Sequence, residues 1–138
     1  MSSTFYLSGP MAGITDYRKD FAHAEKAVHE QEPGCTTLNP ATLPAGMPSS
    51  RYMPICLGML EQADAIVLLP GWRNSKGACL ELLYATYQGK DLHRLSSGVL
   101  ARYYTSPGLQ LWPGRETPKR RRDPSYDADD EETNKEDD

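Results

Sequence analysis

The chain has 138 residues, enough for one domain that can bury a core without help from disulfides or metals. Only 38% of it is hydrophobic, and its formal charge is -4. From Arg115 onward the sequence carries six Lys or Arg, ten Asp or Glu and no aliphatic side chain larger than alanine, so this segment accounts for the whole net charge and the first 114 residues are neutral. Such a segment cannot bury enough apolar surface to offset its ordering entropy and is expected to be a disordered tail. The expected division is therefore a domain over residues 1–112 and a charged tail over 113–138.

The tail's basic cluster, Lys119 to Arg122, is neutralised by the acidic run Asp127 to Asp138. Nucleic acid is accordingly not an expected partner, since phosphate binding needs uncompensated positive charge. The three cysteines, Cys35, Cys56 and Cys79, are odd in number and lack CxxC spacing, which argues against zinc or a disulfide framework. No leader-like pattern or bilayer-length apolar run is present, so a cytoplasmic setting without membrane insertion is expected.

In chain order, Thr4 to Pro10 reads as a short strand entering a Gly-Pro turn, and Met11 to Thr15 as a loop. Thr15 or Asp16 can cap a helix over about 17–31, with Phe21, Ala24, Ala27 and Val28 at buried-stripe spacing. Pro33-Gly34 stops it. A second strand spans Cys35 to Leu38. The loop after Asn39-Pro40 is rich in Pro, Gly and Ser, and loops of its length inside a domain are often functional. Ser49 or Ser50 can cap a helix through Ala63 with Met53, Leu57 and Leu60 inward and Pro54 in its first turn. The uniformly apolar Ala65 to Leu69 suits a central parallel strand covered on both faces. A loop, Gly71 to Lys76, leads to a helix over 77–88 with Leu80, Leu83, Tyr84 and Tyr87 inward. A short strand near Leu92 to Leu95 follows, and Ser96 to Trp112 shows no clear period.

This alternation predicts an α/β fold, a doubly wound Rossmann-like or flavodoxin-like parallel sheet of four or five strands. Ligands in such sheets lie beyond the carboxyl ends of the strands. Three loops qualify: Ser8 to Gly13, Asn39 to Ser50 and Pro70 to Gly77.

The first loop, SGPMAG, offers Ser8 and glycines that let backbone approach a ligand, although taken alone a plain tight turn is the stronger reading. In the third, Ser75 at a helix start, followed by Lys76 and Gly77, is either an N-cap or an anion site, and the same donors serve both. Glu81 lies among Leu80, Leu82, Leu83 and Tyr84. Residues alone favour a surface carboxylate there, yet neither Gly77 nor Ala85 offers it a charged partner at helical spacing. The glycine at 77 leaves the turn before it open. His23, His29 and His93 are scattered, and no metal site follows; no cofactor is expected.

Together, YLSGPMAG, LNP and EQADAIVLLPGWRNSKGACLELLYATYQGK resemble the nucleoside 2-deoxyribosyltransferase-like superfamily, over about residues 4–92, and most of all a branch of small proteins common in phage genomes. The resemblance implies that Glu81 is the nucleophile at the anomeric carbon of a nucleoside or nucleoside 5′-monophosphate, forming a covalent glycosyl-enzyme. Transfer to another base or hydrolysis would follow. It also implies that Ser75, with Ser8 and Gly9, receives a 5′-phosphate. Substrate-binding roles are expected for Tyr6, Ser8, Gly9, Pro10, Met11, Gly13, Asn39, Trp72, Ser75, Lys76 and Gly77; Tyr6 and Trp72 can stack on a base, although such residues more often simply pack. The family's Asp eight residues before Asp64 is Cys56 here, which removes the usual means of activating the base. Asp16, Asn39, Arg51 and Tyr52 are candidates to replace it. The substitution also favours one alternative, a nucleotide-sensing module without turnover. A second, an enzyme that cleaves a nicotinamide dinucleotide, is implied by the resemblance because related folds use a similar Glu for that bond. A homodimer is expected from the family and from the aromatic residues Tyr84, Tyr87, Tyr103, Tyr104 and Trp112.

Overall fold

A computed structural model describes residues 3–104. The charged tail, Trp112 and the proposed boundary at residue 112 lie outside them. The elements are β1 (Thr4–Ser8), α1 (Tyr17–Gln31), β2 (Thr36–Leu38), a 3-10 turn (Pro40–Thr42), α2 (Ser49–Glu61), β3 (Ala65–Leu68), a 3-10 turn (Trp72–Asn74), α3 (Lys76–Tyr87), β4 (Asp91–Ser96) and β5 (Val99–Arg102).

The sheet order is β2-β1-β3-β4-β5, with β1 to β4 mutually parallel and β5 antiparallel to β4. This is the doubly wound architecture expected. From β1 the chain moves outward to β2, then crosses back to β3 on the other side of β1. The carboxyl ends of β1 and β3 thus form the switch point where such sheets leave a crevice.

Side chains alternate across a strand, and here the alternation decides which residues reach which layer. Phe5 and Leu7 pack with Phe21, Ala24 and Val28 of α1, together with Ala65, Val67 and Leu69. Tyr6 faces the other layer with Ile66 and Leu68, against Cys56 and Leu60 of α2 and Ala78, Leu82 and Ala85 of α3. Asp64 serves strand entry, its carboxylate accepting from the Thr4 amide at 2.8 Å.

Several expectations change in detail. The inner stripe of α3 is Ala78, Glu81, Leu82 and Ala85, whereas Leu80 and Tyr87 are exposed and Leu83 and Tyr84 half-buried. Both sets have helical spacing; the small alanines let the helix approach the sheet closely, which the bulkier set would prevent. In α2, Cys56 and Leu60 are buried while Met53 and Leu57 are only partly so, and Pro54 sits beyond the first turn. Tyr103, counted as surplus surface, packs into the core beside Trp72, leaving Tyr87 and Tyr104 as the exposed aromatics among the described residues. The unassigned stretch after residue 95 begins as a hairpin. Ser97 and Gly98 both take positive φ (51° and 78°), the conformation of a tight type I′ turn, and Gln31 at the end of α1 bonds the Gly98 carbonyl and the Leu100 amide at 2.8 Å each.

Gly9, just after β1, is required by space. A Cβ there would lie 2.9 Å from Leu69 Cβ and 3.6 Å from Phe21 Cζ. Gly9→Ala should therefore cost about 1–3 kcal/mol through overpacking, read as a lowered urea midpoint with an unchanged slope; an unchanged midpoint would refute the close approach.

Candidate functional site

A cavity of about 730 Å³ opens at the switch point, a size suited to a small organic ligand. All three loops singled out in the sequence contribute: Gly9 to Ala12, Pro40 with Gly46, Met47 and Ser49, and Asn74 to Gly77. Tyr17 of α1, Tyr52, Met53 and Cys56 of α2, and Ala78, Leu80 and Glu81 of α3 complete the lining with Tyr6.

Glu81 is 6% exposed, so the surface reading is wrong. Residues 6 and 8 project from the same face of β1, toward α3, and both reach its carboxylate. Ser8 donates from Oγ to Oε1 at 2.7 Å, and the Tyr6 hydroxyl donates to Oε2 at 3.0 Å. Burial pushes the Glu81 carboxyl up to about 7, against the opposing pull of the Ser8 and Tyr6 donors. Burial, with the Glu81 charge beside it, drives the Tyr6 phenol far upward as well. The Cys56 thiol lies against the Tyr6 hydroxyl, and burial raises it too. The arrangement is a carboxylate held in one orientation at a largely apolar cavity, with its anionic form supported by two hydroxyl donors.

Ser75 is the N-cap of α3, its Oγ accepting from the Ala78 amide at 3.1 Å. Lys76 follows it at the exposed first position of the helix. This end of the cavity combines a hydroxyl, a helix N-terminus and an ammonium, as an anion requires. Gly77 is less open than the sequence suggests: a Cβ there would meet Met53 Cε at 3.3 Å.

Of the residues expected to bind substrate, Tyr6, Gly9, Pro10, Met11, Ser75, Lys76 and Gly77 line the cavity, and Ser8 reaches it through Glu81. Three do not. Gly13 lies past the lining part of its loop, with positive φ (78°) and open space around it. Asn39 is turned inward: its Oδ1 accepts from Ala41 N at 2.9 Å and its Nδ2 donates to Glu25 at 3.2 Å, which shapes the 3-10 turn. Trp72 is buried in the core, edge-on to Tyr103 with centroids 5.6 Å apart and with the Arg73 guanidinium 4.3 Å over its ring. It cannot stack on a base there, and Arg73 is drawn to the same place. Among the candidates to replace the missing Asp, Tyr52 alone lines the cavity; Asp16, Asn39 and Arg51 do not.

Sequence reasoning did not name Ala12, Tyr17, Pro40, Gly46, Met47, Ser49, Met53, Asn74, Ala78 and Leu80 as lining residues. The available signal was the isolated Met47 in a Pro/Gly/Ser loop, since an apolar side chain there needs something to cover. Tyr52 fixes that loop, donating to the Pro44 carbonyl and accepting from Met47 N at 3.2 Å. Among the described residues no cluster of three His, Cys, Asp or Glu could hold a metal, and no helix is long and apolar enough to cross a membrane.

The fold is shared with known structures. A 2-desoxiribosyltransferase from Leishmania mexicana superposes with a TM-score of 0.55 at 22% identity, over 69% of this chain and 65% of that one. A conserved protein from Enterococcus faecalis V583 gives 0.56 at 16% identity, over 70% of this chain and 64% of that one. The chain thus spans just under two thirds of the length of either. No curated protein matches it significantly. A family model does match, over residues 3–93, and the chain belongs to that family, described as Domain of unknown function (DUF4406).

Proposed function

We propose that this protein breaks an N-glycosidic bond of a nucleoside or nucleoside 5′-monophosphate, with Glu81 as the nucleophile. The observation that carries the reading is the buried Glu81 carboxylate, fixed by Tyr6 and Ser8 at the cavity between the ends of β1 and β3. An ionised carboxylate there can attack the anomeric carbon, and the covalent glycosyl-enzyme passes its sugar to water or to a second base. The Ser8 and Tyr6 hydroxyls hold the attacking group in one rotamer and favour its charged form against the pull of burial. A 5′-phosphate fits the start of α3, where Ser75 and Lys76 stand. The structural likeness to a 2-desoxiribosyltransferase supports the same class of chemistry.

Incubation with a panel of nucleosides and monophosphates, with chromatography of the free base, tests the reading. Binding without any base release would favour a nucleotide sensor, the reading that Cys56 supports, because no carboxyl stands at that position to assist a leaving base. Ser75→Ala separates the phosphate end from the reacting end. It should raise KM for a monophosphate about tenfold, leave KM for the parent nucleoside unchanged, and cost about 1 kcal/mol of stability through the lost cap. Equal effects on both substrates would place the phosphate elsewhere. A homodimer is also proposed, with the exposed Leu80, Tyr87 and Ile55 of α2 and α3 as the surface that supports it; a monomeric mass by light scattering at micromolar concentration would contradict it.

A further inference from the structure

The cavity walls limit what can leave. Breaking an N-glycosidic bond puts the bonding electron pair on the base, and a neutral purine or pyrimidine then needs a proton as it departs. The titratable side chains lining the cavity are Tyr6, Tyr17, Tyr52, Cys56, Lys76 and Glu81. Glu81 must be ionised to attack, so it cannot supply that proton in the same step. The Tyr6 hydroxyl is committed to Glu81, and the Tyr52 hydroxyl to the Pro44 carbonyl. Burial raises the Cys56 thiol, which makes it a weaker acid still. Lys76 belongs to the anion end at the start of α3. Phenols, thiols and ammonium groups are in general weak acids at neutral pH. Among the described residues, then, no carboxylic acid other than Glu81 and no imidazole faces the cavity. The rest of the wall includes Met11, Met47 and Met53 with the rings of Tyr17 and Tyr52. Thioethers, aromatic rings and a carboxylate together favour a flat cation.

We propose that the substrate is an N-glycoside whose base is already cationic, a pyridinium-type ring joined through its quaternary nitrogen to ribose 5′-phosphate. This deepens the glycosidic reading above and rests on it. The Glu81 carboxylate forms a bond to C1′ as the C1′–N bond breaks. The electron pair goes to the ring nitrogen and cancels its positive charge, so the base leaves neutral without a proton. Water then attacks C1′, restoring the Glu81 carboxylate and releasing ribose 5-phosphate and one proton to solvent. A cation beside Glu81 also favours its ionised form, so binding prepares the nucleophile.

The test compares nicotinamide mononucleotide, AMP and UMP on the full chain, wild type and Glu81→Gln, from pH 6 to 9, with base release measured by chromatography. Each kcat/KM is divided by the uncatalysed hydrolysis rate of the same compound, which removes intrinsic lability. General acid assistance is ordinarily worth about 10²–10⁴-fold, so the normalised value for nicotinamide mononucleotide should exceed both others by at least about tenfold. Its rate should rise to a plateau and show no alkaline fall. A smaller ratio, with Glu81→Gln inactive on the neutral nucleotides, overturns this inference and leaves the glycosidic reading standing. Release from none of the three overturns this inference, and the glycosidic reading falls with it when the wider panel of nucleosides and monophosphates also yields no free base.

Discussion

Replacing Glu81 by Gln should lower base release by at least about 10³-fold while nucleotide binding changes only a few-fold, because the nucleophile is lost but the shape of the site is kept. The substitution is nearly isosteric. The Gln carbonyl can still accept from Ser8, and its amide can donate to the Tyr6 oxygen, so the two hydroxyls now bonded to Glu81 at 2.7 and 3.0 Å keep partners. Steady-state rates beside a direct binding measurement decide the matter. Undiminished release by the Gln variant would dismiss Glu81 as nucleophile. The pH dependence gives an independent sign. Only the carboxylate attacks, and burial raises this carboxyl to about 7. The wild-type rate should therefore climb with pH to a midpoint near 7, well above the limb an exposed glutamate would give.

The fold was legible because strand and helix periods alternate cleanly up to residue 88, and each strand ends in a turn residue. The uniformly apolar Ala65 to Leu69 suits a covered central strand, and Ala65–Leu68 is one. The site was legible as three loops, since a doubly wound sheet brings the ends of its strands together whatever their sequence. Side-chain direction was not. Two stripes in α3 have the same spacing, and hydrophobic size favours the wrong one; the choice depends on how closely the helix approaches the sheet, which Ala78 and Ala85 set. Trp72 could stack on a base or simply pack, and the sequence could not decide; Tyr103 and Arg73 hold it in the core, and Tyr103 lies 31 positions further along the chain. Asn39 looks like a site residue at a strand end, but the turn it caps uses both ends of its amide. Ser8 and Tyr6 differ. Their role follows from strand alternation and could be read once the carboxylate facing them was known.

The same carboxylate should destabilise the fold at neutral and alkaline pH, and the sign can be worked out. The folded Glu81 keeps its proton up to about pH 7, whereas the ordinary carboxyl of the unfolded chain loses it near 4.5. Between those values the unfolded state binds fewer protons, so stability falls as pH rises. Below the window the effect is absent, and above it the effect is complete. The gap between 4.5 and about 7 corresponds to about 3 kcal/mol. Gln at position 81 does not titrate and escapes the cost of burying a charge. Glu81→Gln should therefore melt higher than the wild type at pH 8, by about 10 °C, and the difference should shrink toward zero as pH falls to 4.5. Titrating groups away from Glu81, including His93, which burial holds below its ordinary value, are common to both proteins and cancel in the comparison. Parallel melting curves at pH 4.5, 6 and 8 measure the difference. A Gln variant no more stable than wild type at pH 8 would mean that Ser8 and Tyr6 fully compensate the buried charge, and that Glu81 is ionised at little cost throughout. A variant that gains stability as it loses activity would show that the protein holds its nucleophile in place against the preference of the fold, as a site built for reaction does and a packing residue does not.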